Sequence, residues 1–201
     1  MMIAMDRRGF SKLALTGLGL AAMPGLARAA MPKPYAPVLE RARAALDRHR
    51  DRIALRDRVA IADFSAPSRD LRFHIVDLID GQVNSYLVAH GKGSDPDHSG
   101  WLKRFSNEPD SFATSDGSYQ TGEIYDGKHG ASMRLLGLEP HNSNAEARAI
   151  VIHSADYVGE NHIAAWGKLG RSEGCFVVAP HLISQVLGLI GPGRLLYADK
   201  L

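Results

Sequence analysis

The sequence predicts a mixed fold in which strands dominate, and three observations carry that reading. Residues 59–64, 71–78 and 83–89 are short runs rich in β-branched and aromatic side chains. Asp80-Gly81 lies between the last two, where a tight hairpin needs a residue tolerant of positive φ. Clear helical periodicity is confined to two stretches, 38–50 and 180–189.

Residues 1–29 read as a targeting segment. Asp6-Arg7-Arg8-Gly9-Phe10-Ser11-Lys12 is followed by a moderately apolar stretch, Leu13 to Leu26, and by Ala27-Arg28-Ala29. A twin arginine, a short apolar core diluted by Gly17, Gly19 and Gly25, and an Ala-x-Ala site form a Tat-type signal, which predicts export to the periplasm. A membrane anchor is the competing reading. The apolar stretch falls short of the roughly 20 residues a span needs, so cleavage with no stable span is expected. The formal charge of +2 includes Arg7, Arg8, Lys12 and Arg28 against Asp6, leaving the mature chain at about −1. Such a balance supplies no basic surface for nucleic acid.

Residues 30–57 form a linker and helix. After the Pro-rich 31–37, the positions Val38, Leu39, Ala42, Ala45 and Leu46 fall on one face with arginines opposite. Packing against the domain is expected, with membrane-surface association the alternative. Residues 58–201 then make the main domain. The stretch 90–119, with Gly91, Gly93, Pro96, Gly100, Pro109 and Gly117, reads as loops that shape a cleft. Residues 121–125 and 132–136 are short strands around a turn at 127–130. A short helix is expected at 142–148, a strand at 149–154, a loop at 156–169, and a last strand at 194–198 after Gly191-Pro192-Gly193.

The chain holds one cysteine, in Gly170-Arg171-Ser172-Glu173-Gly174-Cys175-Phe176. Small neighbours leave a thiol approachable, and Gly174 lets the backbone N–H groups of 174 and 175 turn toward a developing oxyanion. A structural cysteine is the other reading, and a disulfide-linked dimer a third. A free thiol near pKa 8.5 needs a base to act as a nucleophile at neutral pH. His153, at the end of the apolar run Ala149-Ile150-Val151-Ile152, supplies one, with Cys175 following 22 positions later. That order, His before Cys, argues against a papain-like peptidase.

His153-Ser154 together with Arg171-Ser172-x-Gly174-Cys175 resembles the catalytic domain of the YkuD-like L,D-transpeptidases, and more closely the murein L,D-transpeptidase branch. Further matching blocks are Asp63-Phe64-Ser65, Val88-Ala89-His90-Gly91, Phe105-Ser106-Asn107, Tyr125-x-Gly127-Lys128-His129-Gly130, Leu135-x-Gly137-Leu138-Glu139 and Arg148 to His153. Two positions depart: Glu173 where His is common, and Phe176 where the closer branch often has Pro. Glu173 is expected to face solvent or pair with Arg171 or Lys168, since an inward carboxylate would raise the thiol's pKa.

The resemblance implies a curved β-sandwich or barrel-like core with a few short helices. It implies that Cys175 attacks an L,D amide bond of a peptidoglycan stem peptide, after diaminopimelate at position three or L-Ala at position one. His153 would act as base and acid, and the 174 and 175 amides, helped by Ser154 or Tyr125, would hold the oxyanion. An amine of a neighbouring stem would take the acyl group; water in its place gives a carboxypeptidase or amidase. Arg171 and Ser172 are expected to orient His153 or the donor carboxylates, and His90 and His129 to line the cleft. No cofactor or metal is expected, and carbapenem β-lactams are implied as covalent inhibitors. Two readings of other classes remain: a zinc peptidase using His90, Asp97, Glu160 and His162, whose spacing fits poorly, and a wall-binding module without chemistry.

Overall fold

Arg58–Asp63, Phe73–Asp77 and Val83–Tyr86 are the first three strands (β1–β3) of the computed structural model, which describes residues 35–201. The targeting segment 1–29 lies outside those residues. Before β1 comes helix α1, Ala36–Arg48, with a proline in its first turn, where a missing N–H costs nothing. Its buried positions Val38, Ala42, Ala45 and Leu46 pack on Val59, Ile61, Val76 and Leu195. The apolar face is thus covered by the sheet rather than offered to a membrane. Full burial of Val38 and Leu46 contributes about 1.5–3 kcal/mol each.

Five more strands follow: β4 (Gly117–Gly127), β5 (Gly130–Gly137), β6 (Val151–Ser154), β7 (Phe176–Val178) and β8 (Leu195–Asp199). They make one eight-stranded sheet in the order β3-β2-β1-β8-β4-β5-β6-β7. Every pairing is antiparallel except β1 with β8 and β6 with β7. The sheet curls until its two edges meet: beyond β3, Ala89 N–H donates to Val177 O at 2.9 Å and Val177 N–H to Ala89 O at 3.4 Å. The result is barrel-like. Ala60, Ile75 and Leu196 from one half share an interior with Met133, Ile152 and Phe176 from the other.

This closure explains the sequence pattern. β1 is buried on both faces, Ala60 and Ala62 toward the interior and Val59 and Ile61 toward α1, so its apolar run is continuous instead of alternating. Helix α3, Ile183–Ile190, buries Ile183, Val186, Leu187 and Ile190 on the same interior after a 3-10 turn at Pro180–Leu182.

Three expectations need correction. Residues 142–148 form successive turns, not a helix. Asn142 explains it: its side chain accepts from Glu139 N–H and donates to the carbonyls of Asp116 and Ser118, so the segment is tied outward, and Ala149 ends it at φ 52°. Conversely, the expected loop 156–169 contains helix α2, Glu160–Trp166, which has no buried residue and so carries no apolar stripe to betray it. The strand expected to run to residue 89 ends at Tyr86, before the Ala89 bridge.

Candidate active site

Strands β6 and β7 bring the histidine and the cysteine together. In their parallel register Ile152 stands beside Phe176 and His153 beside Val177. Cys175 directly precedes β7, and side chains alternate in direction along a strand. His153 and Cys175 therefore share the face opposite Ile152 and Phe176, which point into the core. Both line one cavity of about 340 Å³, with Tyr125, Lys128, His129, Ser132, Arg148, Tyr157, Arg171, Ser172 and Glu173 among its walls.

His153 is buried, and its Nδ1 lies 3.0 Å from the Ser154 carbonyl oxygen. A carbonyl only accepts, so Nδ1 carries the proton and Nε2 keeps the lone pair a general base needs. Burial holds the imidazole below its ordinary pKa, against the Ser154 contact, and the nearby charges of His129 and Lys128 add to the lowering. His129 stacks on it, ring centroids 4.2 Å apart and planes 16° from parallel. Lys128 and His129 are the two turn residues between β4 and β5, whose end pair is Gly127 and Gly130, so this hairpin delivers both to the cavity.

Cys175 Sγ donates to Ala149 O at 3.5 Å. Burial pushes the thiol up and the Glu173 charge adds to it, opposed by the Val151 N–H, Lys128 and Arg148. Both groups of this cavity are thus held toward their neutral forms, thiol and imidazole.

The loop before the thiol is fixed by Ser172. Its hydroxyl donates to Cys175 O at 2.7 Å and accepts from Gly174 N–H at 3.2 Å. Gly174 sits at φ +122°, and a Cβ there would lie 2.9 Å from Ala113 O. Two expectations change. The Gly174 N–H is committed to Ser172, which leaves Cys175 N–H as the loop amide for an oxyanion. Ser172 holds the backbone of this loop instead of orienting His153.

Arg171 likewise turns away from His153, donating through Nη1 to the carbonyls of Asp95 and of Pro96, the latter at 3.1 Å. Tyr125 lines the cavity with the Arg134 guanidinium 4.4 Å from its ring centre. Ser154 contributes its carbonyl. Glu173 is exposed as expected, but its partner is Lys92 at 2.7 Å rather than Arg171 or Lys168.

His90 does not line the cavity. It is 1% exposed and accepts at Nδ1 from Arg72 Nη2 at 2.7 Å, with Asp95 on its other side at 3.6 Å. Burial and the Arg72 charge keep it neutral. It belongs to a buried Arg72, His90 and Asp95 cluster that anchors the 92–100 loop, Asp95 accepting from Ser99 and Gly100 N–H groups. His162, the other histidine of the zinc reading, lines a different cavity beside Tyr86 and His181. Among the described residues no three His, Cys, Asp or Glu side chains converge as ligands.

Arg148 went unassigned in the sequence. Its Nη1 donates to Ser106 O and Ser115 Oγ at 2.8 and 2.9 Å, and Nη2 to Ser111 Oγ and Ala113 O at 3.1 and 2.5 Å. It thereby pins the 106–115 loop beside the thiol. That loop supplies Pro109, Asp110 and Phe112 to a neighbouring cavity of about 270 Å³, which shares Arg148, Ala149 and Glu173 with the first. No local motif marks Arg148; its role depends on acceptors 33 to 42 positions away.

A thiol and a tautomer-fixed imidazole in one cavity define a site of the nucleophile and base kind. Residues 32–198 match a family model described as the L,D-transpeptidase catalytic domain, and the chain belongs to that family. A search of curated proteins by sequence finds no match. Among solved structures the chain is similar to an L,D-transpeptidase from Mycobacterium smegmatis, with 14% identity and a TM-score of 0.44 over 71% of this chain and 58% of that one. It is similar to one from Xylanimonas cellulosilytica, with 15% identity and a TM-score of 0.44 over 78% and 68%. A third, solved in complex with imipenem, shows 14% identity and a TM-score of 0.42 over 71% and 59%. The aligned region thus spans about three-fifths of the first and third of these chains. The family assignment rests on the match along 32–198.

Proposed function

We propose that this chain is an exported, cysteine-dependent L,D-transpeptidase that cross-links peptidoglycan stem peptides in the periplasm. The observation that carries the reading is one cavity lined both by Cys175 and by a His153 whose Nδ1–H is committed to Ser154 O. Cys175 Sγ attacks the carbonyl of an L,D amide bond as its proton passes to His153 Nε2. The tetrahedral oxyanion takes a hydrogen bond from Cys175 N–H and collapses, breaking the C–N bond, and His153 returns the proton to the departing amine. The acyl group is then a thioester on Cys175. An amine of a neighbouring stem attacks it, His153 takes that amine's proton, and the proton returns to Sγ as the new amide leaves.

The bond cleaved follows diaminopimelate at position three or L-Ala at position one, and the products of purified stem peptides distinguish the two. Incubating the protein with donor and acceptor peptides is expected to give a cross-linked dimer whose mass identifies the bond. Cys175→Ala is expected to give none while keeping the fold. Shortened monomers without dimer would instead mean that water is the acceptor. Dimer formed equally by Cys175→Ala would overturn the reading.

A further inference from the structure

The charged side chains lining the Cys175 cavity differ in how far they are already committed. Arg148 spends both Nη groups on four acceptors of the 106–115 loop, and Arg171 spends Nη1 on the carbonyls of Asp95 and Pro96. Carbonyl and hydroxyl oxygens hold these guanidinium groups in place without neutralising them. Glu173, the carboxylate in the lining, is exposed and paired to Lys92 at 2.7 Å. The cavity is therefore left with an excess of positive charge.

Lys128 is the uncommitted member. It stands in the two-residue turn between β4 and β5 and lines the cavity with Cys175, His153 and Glu173. Among the described residues no hydrogen bond or ion pair holds its ammonium. Its charge nevertheless acts on all three neighbours, lowering the pKa of the thiol, the imidazole and the carboxylate. A flexible point charge in a cavity that two fixed guanidinium groups also line suits an anion brought in by the substrate.

We infer that the Lys128 ammonium is the carboxylate-binding group of this cavity, selecting acyl donors with a free carboxylate close to the reacting carbonyl. The identity of the donor rests on the proposed function; the carboxylate site itself does not. A stem peptide offers two such groups, the C-terminal carboxylate on the leaving side and the distal carboxylate of diaminopimelate.

The test uses the chain's single thiol as reporter. Alkylation of Cys175 is timed with iodoacetate, an anion, and with iodoacetamide, its neutral counterpart, in wild type, Lys128→Met and Lys128→Arg. A change in thiol ionisation affects both reagents alike and cancels in the ratio of rates. The ratio of iodoacetate to iodoacetamide is expected to fall about three- to tenfold in Lys128→Met and to recover in Lys128→Arg. In wild type it is expected to fall in the same direction on moving from low to about 0.5 M salt. A ratio unchanged by Lys128→Met, or thiol reactivity lost to both reagents equally, overturns the inference. Failure of both reagents to reach the wild-type thiol overturns it too, because the cavity then admits no solute to sulfur. Donor peptides amidated at one carboxylate or the other then separate the two sources: the relevant amide raises KM in wild type and not in Lys128→Met. Absence of cross-linking by wild type, with the ratio still falling in Lys128→Met, would sink the proposed function alone; cross-linking by wild type, with a ratio that Lys128→Met leaves unchanged, would sink this inference alone.

Discussion

At the scale of single residues, burial sets the protonation of the two groups proposed to react. It raises the Cys175 thiol above its ordinary range and holds His153 below its own, so both are neutral near pH 7. The consequence is a defined pH dependence. In the proposed mechanism acyl transfer needs neutral His153, whose lowered pKa places the acid limb of kcat/KM below about 6.5. Simple alkylation needs thiolate, so the iodoacetamide rate should still be climbing above about pH 8.5. Replacing His153 by Asn should cut acyl transfer about 10²- to 10⁴-fold and leave alkylation at high pH nearly intact. A resting thiolate and imidazolium pair would instead give an alkylation rate already on its plateau at neutral pH, which stopped-flow trapping would reveal.

At the scale of elements, the loop 171–175 and the β4–β5 hairpin decide the site's shape. Gly174 is a position in this loop where a side chain is strained by both conformation and space. Gly174→Ala asks an L-residue to hold φ +122° and sets its Cβ 2.9 Å from Ala113 O. Strain of about 1–3 kcal/mol is expected, together with displacement of Cys175. Acylation should fall by at least tenfold while circular dichroism stays native; unchanged acylation would mean the loop does not position the thiol.

Elements also explain what could be read from the sequence. Runs of apolar and β-branched residues revealed β1, β2 and β6, because burial dictates their side chains. The Cys175 and His153 pair was visible from residue type, and its strand context from Ala149 to Ile152. The partners were not. Ser172 and Arg171 carry groups able to reach substrate, but their bonds go to backbone carbonyls: Ser172 to Cys175 three positions on, through the local turn, and Arg171 to Pro96, a neighbour only after folding. His90 followed a strand much as His153 does, yet the sheet closure at Ala89 and Val177 places it beside Arg72, 18 positions away. Helix α2 buries nothing, so periodicity had nothing to report.

At the scale of the whole molecule, the closed sheet buries histidines as neutral groups, and this ties stability to pH. His74 lies against Tyr35 at 4.5 Å between ring centres and meets Ser85 Oγ at 2.8 Å through Nδ1. Desolvation brings its pKa down to about 4. Its contribution is fully present above the unfolded value near 6.5. As pH falls from there toward 4, the unfolded chain takes up a proton that the fold refuses, and stability declines. The lowered carboxylates of Asp95 and Glu139 push the same way at lower pH. Urea unfolding is expected to show a loss on the order of 3 kcal/mol from His74 alone across that window. His74→Gln should flatten the slope; an identical slope in the variant would remove His74 from the account.

Within that sheet the parallel pairing of β6 and β7 sets His153 and, just before β7, Cys175 on one face, and the central claim is that this thiol is a nucleophile poised for acyl transfer. Intact mass spectrometry after incubation with a carbapenem, on wild type beside Cys175→Ala, tests it most directly. The account predicts one covalent adduct on wild type and none on the variant. If wild type stays unmodified by the carbapenem while iodoacetamide still reaches Cys175, the thiol is accessible but not activated, and the claim is contradicted.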